Sequence, residues 1–153
     1  MFQFLITIFT GIIIAAVSAW ITVHLALRKF RSEHWWEKKV EAYSKVIEAL
    51  HNSKSFSDKH LDANYAGRNI SEDSSKELGA RAISAQLEID KMIDIAAFML
   101  SEEANERLKA FKKEIDSFSD CPNWIEYLEY DWKATDSCLN DLIRIAKKDL
   151  QAK

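Results

Sequence analysis

The chain has 153 residues, and its 21 basic and 24 acidic side chains leave a formal net charge of −3 at pH 7. A nucleic-acid surface needs a clustered excess of Lys and Arg, so this balance argues against a general nucleic-acid-binding protein. With only three Gly and one Pro, and without alternating strand patterns, the chain is predicted to be all-α.

The first 27 residues, Met1–Leu27, contain no Asp, Glu, Lys or Arg. A helix needs about 20 apolar residues to cross the hydrocarbon core of a bilayer, so this run predicts a transmembrane signal anchor. A buried core helix is one alternative, but such helices are rarely apolar on every side over so many turns. A cleaved signal peptide is another, although it would have a basic start and a shorter apolar run.

The charges that follow the anchor predict its orientation. Arg28, Lys29 and Arg31 come directly after the apolar run, whereas no basic side chain precedes it. The positive-inside rule then places residues 28–153 in the cytoplasm and the N-terminus outside. We therefore expect a single-pass membrane protein that has membrane lipid as one of its partners.

Small side chains recur along one side of the predicted anchor. Gly11, Ala15 and Ala19 are four residues apart, and Ser18 and Thr22 continue the stripe. Small residues let helix backbones approach closely, and hydroxyl groups can form hydrogen bonds across the contact. This pattern predicts a transmembrane packing face that joins two anchors, although small residues are also common in membrane helices generally.

Basic and aromatic side chains follow the anchor together: Arg28, Lys29, Arg31, Trp35 and Trp36. Near a membrane surface, each Lys or Arg gains about 1 kcal/mol from anionic headgroups. Tryptophan favours the membrane–water boundary. The segment therefore predicts a juxtamembrane contact with lipid or with a protein partner, unless it is the ordinary flank of a membrane helix.

The same segment carries a resemblance to known proteins. Phe30–Lys39 reads FRSEHWWEKK, and Glu41-Ala42-Tyr43 and Ile47-Glu48-Ala49-Leu50-His51 follow it. This run resembles a group of small bacterial single-pass membrane proteins of unassigned function, in which R-F-x-S-E-x-W-W-E-x-K-x-x-A-Y follows a signal anchor. The resemblance covers about residues 20–55 and implies a bacterial source and an inner (plasma) membrane topology, but no mechanism.

Residues 28–153 are predicted to form one domain, an antiparallel bundle of about four helices. The first helix continues out of the anchor, and an exposed loop is expected from Asp62 onward. Ser71 and Ser101 each precede two acidic residues, as is typical of helix N-caps, so they are expected to begin the second and third helices. A break over residues 119–123 precedes the fourth.

Apolar side chains at spacings of three and four mark the face of each helix that is expected to be buried. The predicted core consists of Trp36, Val40, Tyr43, Ile47, Leu50, Leu78, Ala82, Ala85, Ile89, Met92, Ala96, Met99, Leu108, Phe111, Ile115, Phe118, Trp124, Leu128, Trp132, Leu139, Leu142 and Ala146. Four further residues widen the stripe of the second helix and indicate two neighbouring helices: Ile83, Leu87, Ile93 and Leu100.

Residues able to carry catalysis form no recognisable motif, so no catalytic residue, metal site, cofactor or small-molecule substrate is predicted. Glu48 and His51 match the E-x-x-H motif of di-iron bundles, but such a site needs two copies and two further glutamates. The chain holds one copy, so only a dimer could supply the second. Cys121 and Cys138 are expected to be reduced thiols in the cytoplasm.

Together these features predict a non-enzymatic, membrane-anchored helical protein that acts through protein–protein association, including formation of a homo-oligomer. One alternative is a membrane effector of bacterial defence or toxicity that perturbs the bilayer, for which the polar stripe of Thr7, Ser18, Thr22 and His24 is the sequence support. A metal-dependent bundle enzyme is the third hypothesis and would require bound iron or manganese.

Overall fold

The computed structural model describes residues 2–118, 121 and 123–151, with side chains from residue 14 onward except that of residue 16. Within this part of the chain there are four helices and no strand, which confirms the all-α prediction. The helices are α1 (Phe2–Tyr65), α2 (Glu72–Met99), α3 (Glu102–Ser117) and α4 (Trp124–Gln151). The chain divides into two compact units, which are described separately.

The first unit, Met1–Glu37, contains the N-terminal part of α1. Its described side chains are exposed, and they include large apolar residues such as Ile14, Trp20 and Phe30. Among the described residues, no helix is long and apolar enough to cross a membrane. The side chains of residues 1–13, in the first half of the predicted anchor, lie outside the described part.

The second unit, Lys38–Lys153, is a bundle of antiparallel helices. The last third of α1 runs opposite to α4, because Lys39 pairs with Asp149 at 2.8 Å while Lys54, further along α1, pairs with the earlier Asp136 at 2.6 Å. Helix α3 lies between α2 and α4, with ion pairs to both of them. The bundle prediction is therefore confirmed.

The helix ends follow local sequence signals. The Ser71 hydroxyl accepts a hydrogen bond from the Ser74 N–H, and the Ser101 hydroxyl accepts one from the Ala104 N–H, each at 3.3 Å. Both predicted N-caps are confirmed. Helix α1 continues to Tyr65, beyond the predicted loop start at Asp62, and ends before Gly67, whose φ of 61° suits glycine. Of the predicted break over residues 119–123, only residues 121 and 123 are described.

Large side chains from the bundle helices form one core. The largest fully buried ones are Tyr43, Phe111, Leu50, Ile89, Met92, Leu108, Leu128 and Leu142. On α2 the centre of the predicted stripe is confirmed, because Ala85, Ile89, Met92 and Ala96 are all buried.

The predicted buried face of α1 is partly wrong. Trp36 is 46% exposed, and the fully buried face instead begins at Ala42 and Tyr43. Tyr43 donates a hydrogen bond to Asp149 in the last turn of α4, so α4 reaches its end at this level of α1. The face also continues past Leu50 to Leu61, through small and polar side chains that a hydrophobic pattern does not register.

The predicted flank of α2 is also partly wrong. Ile93 and Leu100 pack against the core, but Ile83 and Leu87 are 66% and 65% exposed. Their exposure has a geometric reason. At about 100° of rotation per residue, Ile83 and Leu87 lie on the side of α2 opposite to its buried residues, such as Ile89. Trp124, predicted to be buried at the start of α4, is half-exposed as well.

Candidate functional site

The predicted transmembrane packing face is exposed on the single chain wherever its side chains are described. Ala15, Ser18, Ala19 and Thr22 are all exposed on α1, while Gly11 lies in α1 among the residues whose side-chain surroundings are not described. The Thr22 hydroxyl donates a hydrogen bond to the Ser18 carbonyl at 2.8 Å. This hydroxyl is therefore satisfied within its own helix.

The five predicted juxtamembrane residues are all exposed: Arg28, Lys29, Arg31, Trp35 and Trp36. The Lys29 ammonium lies 3.8 Å from Glu33 one turn further along the helix, and the Phe30 ring stacks on His34 with centroids 6.3 Å apart. Exposed ion pairs of this kind contribute little to stability. The basic and aromatic groups are thus accessible on this unit.

The E-x-x-H motif lies on the surface of α1. Glu48 and His51 are both exposed on α1. Glu48 lines an open polar groove between α1 and α2, together with Lys45 and Glu88. Within the part of the chain that the structure describes, no group of three His, Cys, Asp or Glu side chains could hold a metal ion.

One buried polar cluster connects α1, α3 and α4. The Tyr43 hydroxyl donates to Asp149 at 2.7 Å and lies 3.2 Å from the Ser101 hydroxyl at the start of α3. Burial raises the pKa of Tyr43 to about 12. Burial opposes ionisation of Asp149, but hydrogen bonds from Lys39 and Tyr43 outweigh it and lower the pKa of that carboxyl. This cluster is fully paired and has a structural role.

A second buried polar pair has a different character. Asp131 on α4 is only 9% exposed and accepts a hydrogen bond from the fully buried Ser57 on α1. Among the described residues no Lys, Arg or His makes an ion pair with this carboxyl, and burial raises its pKa. A buried carboxylate without a cation destabilises the fold, which marks Asp131 as a candidate functional residue.

Asp131 opens into a groove of about 710 Å³, which we call the Asp131 groove. Side chains from all four helices line it, and apolar ones predominate on its walls: Phe56, Ile83, Ile115, Trp124 and Tyr127. Ligand sites typically have volumes of about 300–1,000 Å³ and mostly apolar walls with a few convergent polar groups. The Asp131 groove has these properties and is the candidate functional site.

Three aromatic side chains in the groove lining form a connected wall. The Phe56 and Trp124 rings meet edge to face, with centroids 6.2 Å apart and planes at 80°. The Trp124 and Tyr127 rings stack, with centroids 5.6 Å apart and planes at 17°. Burial beside Asp131 raises the pKa of the Tyr127 hydroxyl, which therefore stays neutral. The wall thus offers the faces and edges of several rings to a ligand.

The charges that line the groove are predominantly negative. Lys112 lies 2.8 Å from Asp90 and 3.9 Å from Asp116, so two carboxylates share this ammonium group. The hydrogen bond with Asp90 raises the pKa of Lys112, which keeps it charged. With Asp131 as a third carboxylate, the lining carries an excess of negative charge.

The two cysteines are free thiols in different surroundings. Cys138 is fully buried in the core, and burial raises the pKa of its thiol to about 12. A thiol in such surroundings is unreactive near neutral pH. Cys121 is half-buried and lines the Asp131 groove.

The Asp131 groove was not predicted from the sequence: Ile83, Ile115 and Trp124 in its lining were expected to be core residues rather than parts of a site. The available signal was the continued spacing of core positions through polar residues, with Ser57 following Leu50 on α1 and Asp131 following Leu128 on α4. A polar side chain at a core position of a helix marks either a buried hydrogen bond or a site. Trp124, Tyr127 and Asp131 share one face of α4, but the other walls of the groove come from residues far apart in the sequence and have no local signature.

Comparison with known protein families, curated proteins and solved structures finds no match for this chain. The resemblance of residues 20–55 to small bacterial membrane proteins therefore stays a prediction.

Proposed function

We propose that this chain is a bacterial single-pass inner-membrane protein that acts by associating with itself rather than by catalysis. Residues 1–27 anchor it with the N-terminus outside, and the helical bundle lies in the cytoplasm. The observation that carries this proposal is the absence of Asp, Glu, Lys and Arg from Met1 to Leu27, in a unit whose described side chains are all exposed. Exposed apolar groups in such a row are stable where lipid covers them.

The basic and aromatic flank supports the same arrangement. Arg28, Lys29 and Arg31 directly follow the apolar run and are exposed, as contact with anionic headgroups requires. Trp35 and Trp36 are also accessible, and a protein partner could contact the same two side chains in place of lipid. The orientation with residues 28–153 in the cytoplasm follows from these charges.

Self-association is proposed to use the small-residue face. Ala15, Ser18, Ala19 and Thr22 are exposed on one side of α1, where a second helix could approach closely. In a bilayer the apolar side chains gain little by leaving lipid, so close packing of backbones provides the main attraction between anchors. Bulky substitutions on this face are therefore expected to separate the chains.

A measurement of mass in mild detergent tests this association. The double variant Gly11→Ile/Ala15→Leu should shift the full chain from an oligomer toward a monomer in light scattering coupled to size exclusion. Val17→Leu is the matched control, because about 100° of rotation per residue places the exposed Val17 on the side of the helix away from the stripe. An oligomer of unchanged size in the double variant, or a monomeric wild type, would rule out association through this face.

The bilayer-perturbing alternative makes a different prediction for living cells. An effector that disturbs the membrane would lower the membrane potential when it is overexpressed, whereas an associating anchor leaves the potential intact. The hydrogen bond of the Thr22 hydroxyl to its own helix leaves one fewer polar group for a water-filled path. A potential-sensitive dye therefore distinguishes the two functions, and we expect no depolarisation.

A further inference from the structure

The Asp131 groove places a buried carboxylate beside an open cavity whose walls are mostly apolar. Asp131 is nine-tenths buried, and its one described partner is the neutral hydroxyl of Ser57. A buried charge without its partner strongly destabilises a fold, so proteins usually supply a cation to such a carboxylate. Here the space beside Asp131 is open groove rather than a Lys or Arg side chain.

The walls of the groove suit the apolar body of a ligand and also its positive charge. The Phe56, Trp124 and Tyr127 rings form a contiguous wall, with the first two nearly perpendicular. Aromatic faces attract cations within about 6 Å, most strongly where water is excluded. The same rings bury the carbon skeleton of an organic ligand.

Other ligand classes fit the lining less well. An anion would meet three carboxylates and one ammonium group that Asp90 and Asp116 already share. A bare metal ion would lack a ligand set, since no group of three suitable side chains occurs in the described part of the chain. A neutral apolar molecule would leave the Asp131 carboxylate uncompensated.

We propose that the Asp131 groove binds a small organic ammonium ion, whose nitrogen faces the Asp131 carboxylate and whose hydrocarbon part packs on Phe56, Trp124 and Tyr127. The site lies within the bundle and does not depend on the proposed self-association. Its ligand would be a primary amine that carries an aryl or alkyl group of modest size, as the groove volume of about 710 Å³ allows.

Calorimetric titration of the full chain in mild detergent with 2-phenylethylamine tests the proposal. 2-Phenylethanol serves as the neutral probe of the same shape, and it controls for partition into detergent. Wild-type protein should bind the amine saturably and bind the alcohol at least ten-fold more weakly. Saturable binding that is equal for the two probes, or no saturable binding of the amine, would overturn the proposal.

Variants then assign the binding to the groove. Asp131→Asn should weaken binding of the amine at least ten-fold and leave binding of the alcohol unchanged. Glu126→Gln is the matched control, since it removes one exposed carboxylate from the same helix outside the groove lining. Trp124→Leu, at a half-exposed position, should weaken binding several-fold. Unchanged affinity in both Asp131→Asn and Trp124→Leu would place the amine elsewhere and refute the assignment.

Discussion

Asp131 and Asp149 lie on the same helix and are both largely buried, yet their surroundings act on them in opposite directions. Asp149 accepts hydrogen bonds from the Lys39 ammonium and the Tyr43 hydroxyl, which lower its pKa despite burial. Asp131 has the Ser57 hydroxyl alone, and burial raises its pKa. The first carboxylate therefore stabilises the fold when it is charged, and the second destabilises it.

This contrast predicts opposite pH dependences for two matched variants. Because the folded pKa of Asp131 is raised above the unfolded value, the wild type loses stability as pH rises between these two values. Asp131→Asn lacks this loss, so its stability relative to wild type should increase from pH 3 to pH 7. Each unit of pKa difference corresponds to about 1.4 kcal/mol.

For Asp149 the sign is reversed. Its folded pKa is lowered, so the stabilisation is present above the unfolded value and is lost as pH falls through the folded value. Asp149→Asn should therefore become less stable relative to wild type from pH 3 to pH 7. Urea unfolding followed by circular dichroism at a series of pH values measures both differences. The same sign of slope for the two variants would contradict the description of these carboxyl groups.

Helix α2 shows how one element can hold a buried and an exposed apolar face. Ile89 is fully buried in the core, whereas Ile83, on the same amphipathic helix, is two-thirds exposed. Ile89→Ala should destabilise the bundle by about 2–5 kcal/mol, because it removes buried methyl groups and leaves a cavity.

Ile83→Ala provides the control at a position of the same helix and with the same chemical change. Ile83 lines the open Asp131 groove but is 66% exposed, and substitution of an exposed side chain usually changes stability by less than about 0.5 kcal/mol. Chemical denaturation of the two variants gives the comparison. A loss above about 1.5 kcal/mol for Ile83→Ala would mean that a contact covers this face, contrary to the exposure seen in the single chain.

The elements that the sequence predicted well are those whose core positions are occupied by large apolar side chains. On α2 and α3 the spacing of Ile89, Met92, Leu108 and Phe111 identifies the buried face correctly. On α1 the true face passes through Ala42, Ala49, Ser53 and Ser57, which are small or polar and carry little hydrophobic signal. Their neighbours Val40 and Ile47 are larger, so the predicted face was displaced toward them.

The Asp131 groove could not be predicted because it depends on the arrangement of four helices. Its carboxylate comes from α4, its hydrogen-bond donor Ser57 from α1, and further walls come from α2 and α3. Each of these segments reads alone as an ordinary amphipathic helix. Trp124, Tyr127 and Asp131 share one face of α4 by their spacing, but only the packed bundle adds Phe56, Ser57 and the walls from α2 and α3. The N-caps at Ser71 and Ser101 depend on a few neighbouring residues and were predicted correctly.

At the scale of the whole molecule, the two units differ in composition and in exposure. The sequence up to Leu27 is uncharged, and all but two of the acidic residues follow Glu37. The second unit buries a core of its own, while the described side chains of the first are exposed from Ile14 onward. The proposed function rests on this division, because it assigns the first unit to lipid and the second to water.

Anchoring by residues 1–27 is the central claim, and alkaline carbonate extraction of bacterial membranes that contain the full chain tests it most directly. A charged residue at the centre of a membrane helix costs about 2.5–3.5 kcal/mol, so Ile14→Asp/Ile21→Asp should release protein that Ile14→Leu/Ile21→Leu retains. The account predicts that wild-type protein stays in the membrane pellet after extraction. Wild-type protein that appears in the supernatant, together with a doubly charged variant that behaves the same way, would contradict it.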